Sequence, residues 1–167
     1  MITLRLASKA TPAVTLAEMS RDDADLLGPA FAAMEPWSVY PMSAESMTAY
    51  FATIEPGAPR YVLKYGDEIA GAVGVRLNWL RGPYLQILGM LPAHQNAGIG
   101  DLALKWFELA ARARGDRNLW VAVSDFNADA ERFYARFGFE RVAALPDLIS
   151  DSNTEVLMRK RISAPSV

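Results

Sequence analysis

The residues best placed to do chemistry form one short run, Gln95-Asn96-Ala97-Gly98-Ile99-Gly100. An apolar run, Tyr84–Leu91, precedes it and predicts a buried strand, and a helical pattern follows. Backbone N–H groups at a helix start have no partner inside the helix, and the aligned peptide dipoles add partial positive charge there. Strand, loop, glycine pair and helix therefore make a cradle for a phosphate or pyrophosphate. Glycine lets a ligand come close to the backbone and permits positive φ. Nucleoside triphosphate chemistry of the P-loop kind is disfavoured, because Asp101 and Leu102 follow Gly100 where Lys and Ser or Thr are needed. Gly98-Ile99-Gly100-Asp101-Leu102-Ala103 does fit a dinucleotide fingerprint, with Asp125 at the acidic position. Against that reading, Pro92 to Ala97 separate the strand from the glycines, and the preceding segments read as antiparallel hairpins. A glycine-rich turn that binds nothing is the third reading of this segment taken alone.

Other chemistries are closed off by composition. The chain has 167 residues, no cysteine and one histidine. Disulfides, thiol nucleophiles, thiolate metal sites and histidine-rich metal sites are thereby excluded. A Ser-His-Asp triad would have to use His94, which reads instead as an exposed surface residue. Half of the chain is apolar (51%), enough for one domain over residues 1–167 with a sizeable core. The net charge of −2 offers no basic face for nucleic acid. Arg159-Lys160-Arg161 reads as solvated strand-end residues. No long apolar run marks a signal peptide or membrane span, so no membrane partner and a cytoplasmic location are expected.

The elements that must hold the loop follow from periodicity. Residues 1–12 read as a loose arm or an extra strand, and 163–167 as a tail. Ala13–Met19 predicts a strand. Ser20 caps a helix ending by Ala33, with Asp22 and Asp23 in its first turn. A proline-bracketed aromatic loop, Glu35–Pro41, leads to a second helix from Ser43 to about Ile54. Arg60–Tyr65 and Glu68–Asn78 predict a hairpin through Gly66-Asp67. After the glycine loop, a largely apolar helix runs to about Arg114 and stops at Gly115. Leu119–Val123 is continuously apolar, as in a strand covered on both faces. Asn127 opens a helix that ends at Gly138. Phe139–Ala143 and Thr154–Arg161 are the last strands. The order implies a mixed α/β sheet with antiparallel N-terminal strands and helices on both faces.

Two segments carry a resemblance. Leu88-Gly89-Met90-Leu91-Pro92 followed by Gln95–Gly100 resembles the Q/R-x-x-G-x-G/A motif of the GNAT superfamily of N-acyltransferases. Asn127-Ala128-Asp129-Ala130-Glu131-Arg132-Phe133-Tyr134, continuing to Gly138-Phe139, resembles that family's Asn…Ala…Phe-Tyr…Gly-Phe segment. The likeness covers roughly residues 13–162. It implies a GNAT-type fold whose central parallel strands, Tyr84–Leu91 and Leu119–Val123, splay apart to admit acetyl-CoA. Backbone groups near Leu88 and Met90 would pair with the pantetheine arm. N–H groups of Gln95, Asn96, Ala97, Gly98, Ile99 and Gly100 would take the pyrophosphate. The family often has glycine where this chain has Asn96, a residue that tolerates left-handed backbone. Asn127 would touch the cofactor, and Tyr134 would protonate the leaving thiolate, since a phenol is a donor near neutral pH. Tyr134 also has a plain reading as a core aromatic beside Phe133 and Phe137, and Asn127 as a helix cap.

The resemblance further implies an acetyl-CoA-dependent N-acetyltransferase that needs no metal. The acceptor would be a primary amine of a small molecule or of a peptide or protein N-terminus. Without cysteine, transfer would be direct. Many relatives carry a glutamate base where this chain has Gln86, which cannot take a proton. Gln86 orients substrate or simply faces the sheet surface. The base is left open between Asp125, Glu35, a water and an amine that arrives neutral. Trp37, Tyr40 and Trp79 are candidate pocket walls, with core packing as the alternative. Pro36-Trp37-Ser38 resembles acetyltransferases of ribosomal-protein N-termini but is too short to assign a peptide substrate. A homodimer is a family-level expectation. A non-catalytic acyl-CoA sensor of the same fold is the alternative function, and the dinucleotide protein is a third.

Overall fold

A computed structural model describes residues 2–4 and 12–162. In chain order its elements are β1 (Ile2–Leu4), β2 (Val14–Glu18), α1 (Arg21–Ala32), α2 (Ala44–Ala52), β3 (Arg60–Tyr65), β4 (Glu68–Trp79), β5 (Gly82–Met90), α3 (Ile99–Ala113), β6 (Asn118–Ser124), α4 (Ala128–Arg136), β7 (Glu140–Pro146) and β8 (Thr154–Arg161). The described strands join one sheet in the order β1-β2-β3-β4-β5-β6-β8-β7. All neighbours are antiparallel except β5 and β6, which run parallel. The mixed α/β sheet expected from the element order is the one observed. Of the two readings of the N-terminus, Ile2–Leu4 is a strand paired with β2. Residues 5–11 and the 163–167 tail lie outside the described residues.

Local chemistry accounts for the helix starts. Ser20 Oγ accepts from Asp23 N–H at 3.1 Å, and the Asp23 carboxylate accepts from Ser20 N–H at 3.1 Å. This reciprocal box satisfies two N–H groups that the helix leaves open, and a cap of this kind is worth about 1 kcal/mol. Ser43 caps α2 with a single bond, its Oγ accepting from Ser46 N–H.

The strands' two-residue period divides the core into two layers. On one face Leu27, Phe31, Met47 and Phe51 of α1 and α2 cover Val62, Ala72 and Ile87. On the other, Leu104, Phe107 and Ala111 of α3 and Tyr134 of α4 cover Leu63, Val73, Val121 and Met158. Each fully buried large side chain contributes roughly 1.5–3 kcal/mol of hydrophobic stabilisation. In the middle of β6, Leu119, Trp120 and Val121 are all buried: Leu119 and Val121 join the α3–α4 side of the core, while Trp120 is covered by Trp79 and Arg159. Close approach of α1 and α2 depends on Gly28. A Cβ there would meet Thr48 backbone atoms at 2.7 Å.

Two surface expectations are corrected. Arg159-Lys160-Arg161 is not a freely solvated run: Lys160 Nζ pairs with Glu108 of α3 at 2.5 Å, and the Arg159 guanidinium lies over the Trp120 ring. His94 is not exposed. Its side chain keeps only 12% of its surface, its Nε2 lies 3.4 Å from Glu68, and its ring packs against Tyr65. Among the described residues no helix is long and apolar enough to cross a membrane, and no cluster of three or more His, Cys, Asp or Glu residues is arranged to hold a metal.

Candidate active site

The site begins where the sheet comes apart. β5 and β6 pair only at Tyr84 with Trp120 and Leu85 with Val121. Past Leu85, β5 continues to pair with β4 out to Met90, but its β6-facing edge has no strand partner. Backbone polar groups on such an edge need partners from elsewhere. Two cavities open along the split. The inner one, about 290 Å³, is lined by Gln86 and Leu88 of β5, by Ser124 of β6, and by Trp37 and Tyr40. The outer one, about 760 Å³, is lined by Leu88 to Met90, the glycine loop and α4. They share Pro36, Trp37, Leu88, Asn127, Ala130 and Tyr134. The two cavities therefore adjoin along these residues as a two-part channel with Tyr134 in its shared wall.

The loop has the geometry its residue types require. Pro92–His94 forms a single 3-10 turn, and Gln95 Nε2 donates to Met90 O at 3.2 Å. Asn96 sits at φ 60°, the left-handed conformation that asparagine tolerates. Gly98 caps α3 at φ 75°, where a Cβ would be strained, and no side chain caps the helix. The first-turn N–H groups are thus left for a ligand. Gly100 has ordinary helical backbone and faces Phe133. Gln95, Asn96, Gly98, Ile99 and Gly100 all line the outer cavity, whereas Ala97 is exposed and does not. Arg132 and Arg136 of α4 line it too, and sequence reasoning did not single them out. They bring positive charge to a wall that also carries Asp101 and Asp129.

Tyr134 lies at the channel's waist with 7% of its surface exposed. Its ring meets Phe133 at 5.2 Å and Phe139 at 5.7 Å between centroids, so the core-aromatic reading holds alongside the cavity-lining one. Phe137 packs on Phe133. Burial, with Tyr84 nearby, pushes the Tyr134 phenol well above its ordinary value. It therefore stays protonated at neutral pH and is fit to donate. Asn127 Oδ1 accepts from Ala130 N–H at 3.1 Å, so it is a true helix cap that also lines both cavities.

Tyr40 is more than a wall. It follows a 3-10 turn at Trp37–Val39. Its hydroxyl lies 2.5 Å from Ser124 Oγ and donates to Glu155 Oε1. Burial and the bond to Glu155 push the Tyr40 phenol up to about 12. Glu155 is 4% exposed and lines the inner cavity. No local motif marked it, because Tyr40 and Glu155 are brought together across 115 positions of sequence. The register that sets Glu155 opposite Ser124 was the missing information. Tyr50 adds a buried hydroxyl without a hydrogen-bond partner to the same lining.

Other expected residues fall elsewhere. Trp79 packs on Tyr84 and Trp120 and lines neither cavity. Its place is an aromatic cluster at the hairpin end of β4, so the pocket-wall expectation is corrected. Asp125 is exposed and lines neither cavity. Glu35 is exposed and lines only the outer cavity. Trp37 does line both cavities while its ring packs on Phe31 at 4.7 Å.

Residues 21–139 match the family model described as acetyltransferase (GNAT) family. Streptothricin acetyltransferase of Streptomyces lavendulae is 32% identical over 73 residues, 43% of this chain. The chain spans only 39% of the length of that curated relative. Among solved structures, the ribosomal-protein-S18-alanine N-acetyltransferase of Escherichia coli superposes with a TM-score of 0.72 at 18% identity, covering 92% of this chain and 96% of its own. A GNAT-family acetyltransferase from Elizabethkingia anophelis with acetyl-CoA bound gives a TM-score of 0.65 at 15% identity, covering 89% and 98%. At such identities the two structural likenesses establish the fold.

Proposed function

We propose direct transfer of an acetyl group from acetyl-CoA to a primary amine as the reaction of this chain, which belongs to the acetyltransferase (GNAT) family. The carrying observation is the channel that passes from the glycine loop to Tyr134 and on to the inner cavity. The chain's own groups fit acetyl-CoA: an unpartnered strand edge beyond Leu85 for an amide-bearing arm, and the uncapped start of α3 for a diphosphate. Leu88 and Met90 would receive the arm. Gln95 to Gly100 would hold the diphosphate through backbone N–H groups. Asn127 would contact the same ligand from α4.

Acetyl-CoA supplies the activated acetyl group. Tyr134 gives its proton to the departing sulfur, and its burial keeps that proton in place until then. Trp37, Tyr40 and Gln86 bound the acceptor space. Acetylation of streptothricin by one relative, and of a ribosomal protein's alanine by another, supports amine acetylation as the class of reaction and favours neither acceptor.

Thermal-shift titration tests the ligand, since anything that binds only the native state raises Tm. Acetyl-CoA at about 100 times its Kd is expected to add about 2.7 kcal/mol, a rise of roughly 5–10 °C for a chain this size. A rise with NAD and none with acetyl-CoA or CoA would overturn the reading in favour of the dinucleotide protein.

A further inference from the structure

We propose that Glu155 is the acceptor-side base: its carboxylate holds the incoming ammonium in the inner cavity and takes its proton. The proposal rests on the acetyl-transfer reading and adds to it a cationic acceptor and a residue that receives it.

Glu155 is the one buried glutamate among the described residues. No lysine, arginine or histidine among those residues forms an ion pair with it. A buried carboxylate with no counter-charge is expensive, and a cationic ligand removes that cost. The groups facing it are neutral or acidic. Tyr40 and Ser124 form a hydrogen-bonded set with it, Tyr84 of β5 lies close enough to feel its charge, and Asp125 adds negative charge near Tyr40. The Tyr40 bond uses Oε1 and fixes the carboxylate's direction.

Aromatic residues supply the rest of an ammonium site. Trp37, Tyr40 and Tyr84 line the same cavity, and aromatic rings attract cations. Gln86 also faces this cavity but cannot accept a proton.

Glu155 takes one proton from the acceptor ammonium. The freed nitrogen lone pair forms the C–N bond to the acetyl carbon as the C–S bond breaks. Tyr134 protonates the departing sulfur, and the second proton shed by the nitrogen restores Tyr134. Glu155 releases its proton to solvent with the products.

The experiment compares wild type with Glu155→Gln, which has nearly the same shape and can still accept from Tyr40. Free thiol is followed with acetyl-CoA and a panel of 1,4-diaminobutane, lysine amide and a glycyl peptide, from about pH 7 to about pH 10, where aliphatic amines begin to lose their proton unaided. The expected result is a fall in kcat/KM for the amine of at least about 100-fold near neutrality. The deficit should shrink as pH rises, while the acetyl-CoA thermal shift stays equal to wild type. Tyr40→Phe leaves the carboxylate in place but loosens it, and should give a smaller loss of the same pH shape. This second variant carries the test if Glu155→Gln folds poorly. Turnover equal to wild type at every pH, or a deficit that does not vary with pH, would each overturn the proposal. A wild type that acetyl-CoA does not stabilise, or that binds it yet acetylates no panel member, would instead overturn the acetyl-transfer reading beneath it.

Discussion

Tyr134 shows how one side chain serves both packing and chemistry. Its ring is part of the α4-side core, and the surface left open faces the waist of the channel. The burial that stabilises the fold also disfavours the phenolate, so the same environment keeps the acid loaded. Tyr134→Phe removes only the hydroxyl. Turnover is expected to fall on the order of 100-fold, with the acetyl-CoA thermal shift retained; thiol-release kinetics beside the shift assay check this, and unchanged turnover would remove the acid role. At this scale the sequence was most readable where residues act within one local element. Asn127 was legible as a cap because its partner, Ala130, is three positions away. Asn96 was legible because its tolerance of left-handed backbone is intrinsic. Glu155 was not, since its meaning depends on a phenol from a distant loop and a hydroxyl from a neighbouring strand. Trp79 misled for the same reason: residue type alone does not say which end of a sheet an aromatic packs on.

The elements were legible to the extent that one repeating pattern defined them. Arg60–Tyr65 and Thr154–Arg161 are found with the bounds their β-rich runs predicted. What the pattern did not contain is the insertion of β8 between β6 and β7, a pairing fixed by long-range register. The close approach of α1 and α2 was equally hidden, because a glycine inside a helix reads from sequence only as a weak point. In three dimensions Gly28 is where Thr48 crosses. Gly28→Ala gains helix propensity of up to about 1 kcal/mol, but drives a methyl group into Thr48 backbone. Overpacking of that kind costs about 1–3 kcal/mol, so the net expectation is a lowered denaturation midpoint by urea titration with little change in slope. A midpoint at or above wild type would mean that the two helices separate at little cost.

For the whole molecule, the governing feature is a sheet that is complete everywhere except at its centre. Two helical layers seal its faces, and the parallel β5–β6 pair comes apart after two registered positions. Every group assigned a chemical role, the glycine loop, Tyr134, Tyr40 and Glu155, borders that split. The split was expected from the family resemblance of two short motifs, whereas periodicity alone predicted only strands and helices. The acceptor side was least legible because it is assembled from β5, β6, β8, α2, α4 and the Pro36–Tyr40 loop, none of which carries a motif for it. The most direct measurement of the account is the mass spectrum of primary amines incubated with the chain and acetyl-CoA. An amine heavier by one acetyl group, formed only when both the protein and acetyl-CoA are present, is the predicted result. Amines left unmodified by a protein that acetyl-CoA demonstrably stabilises would contradict it.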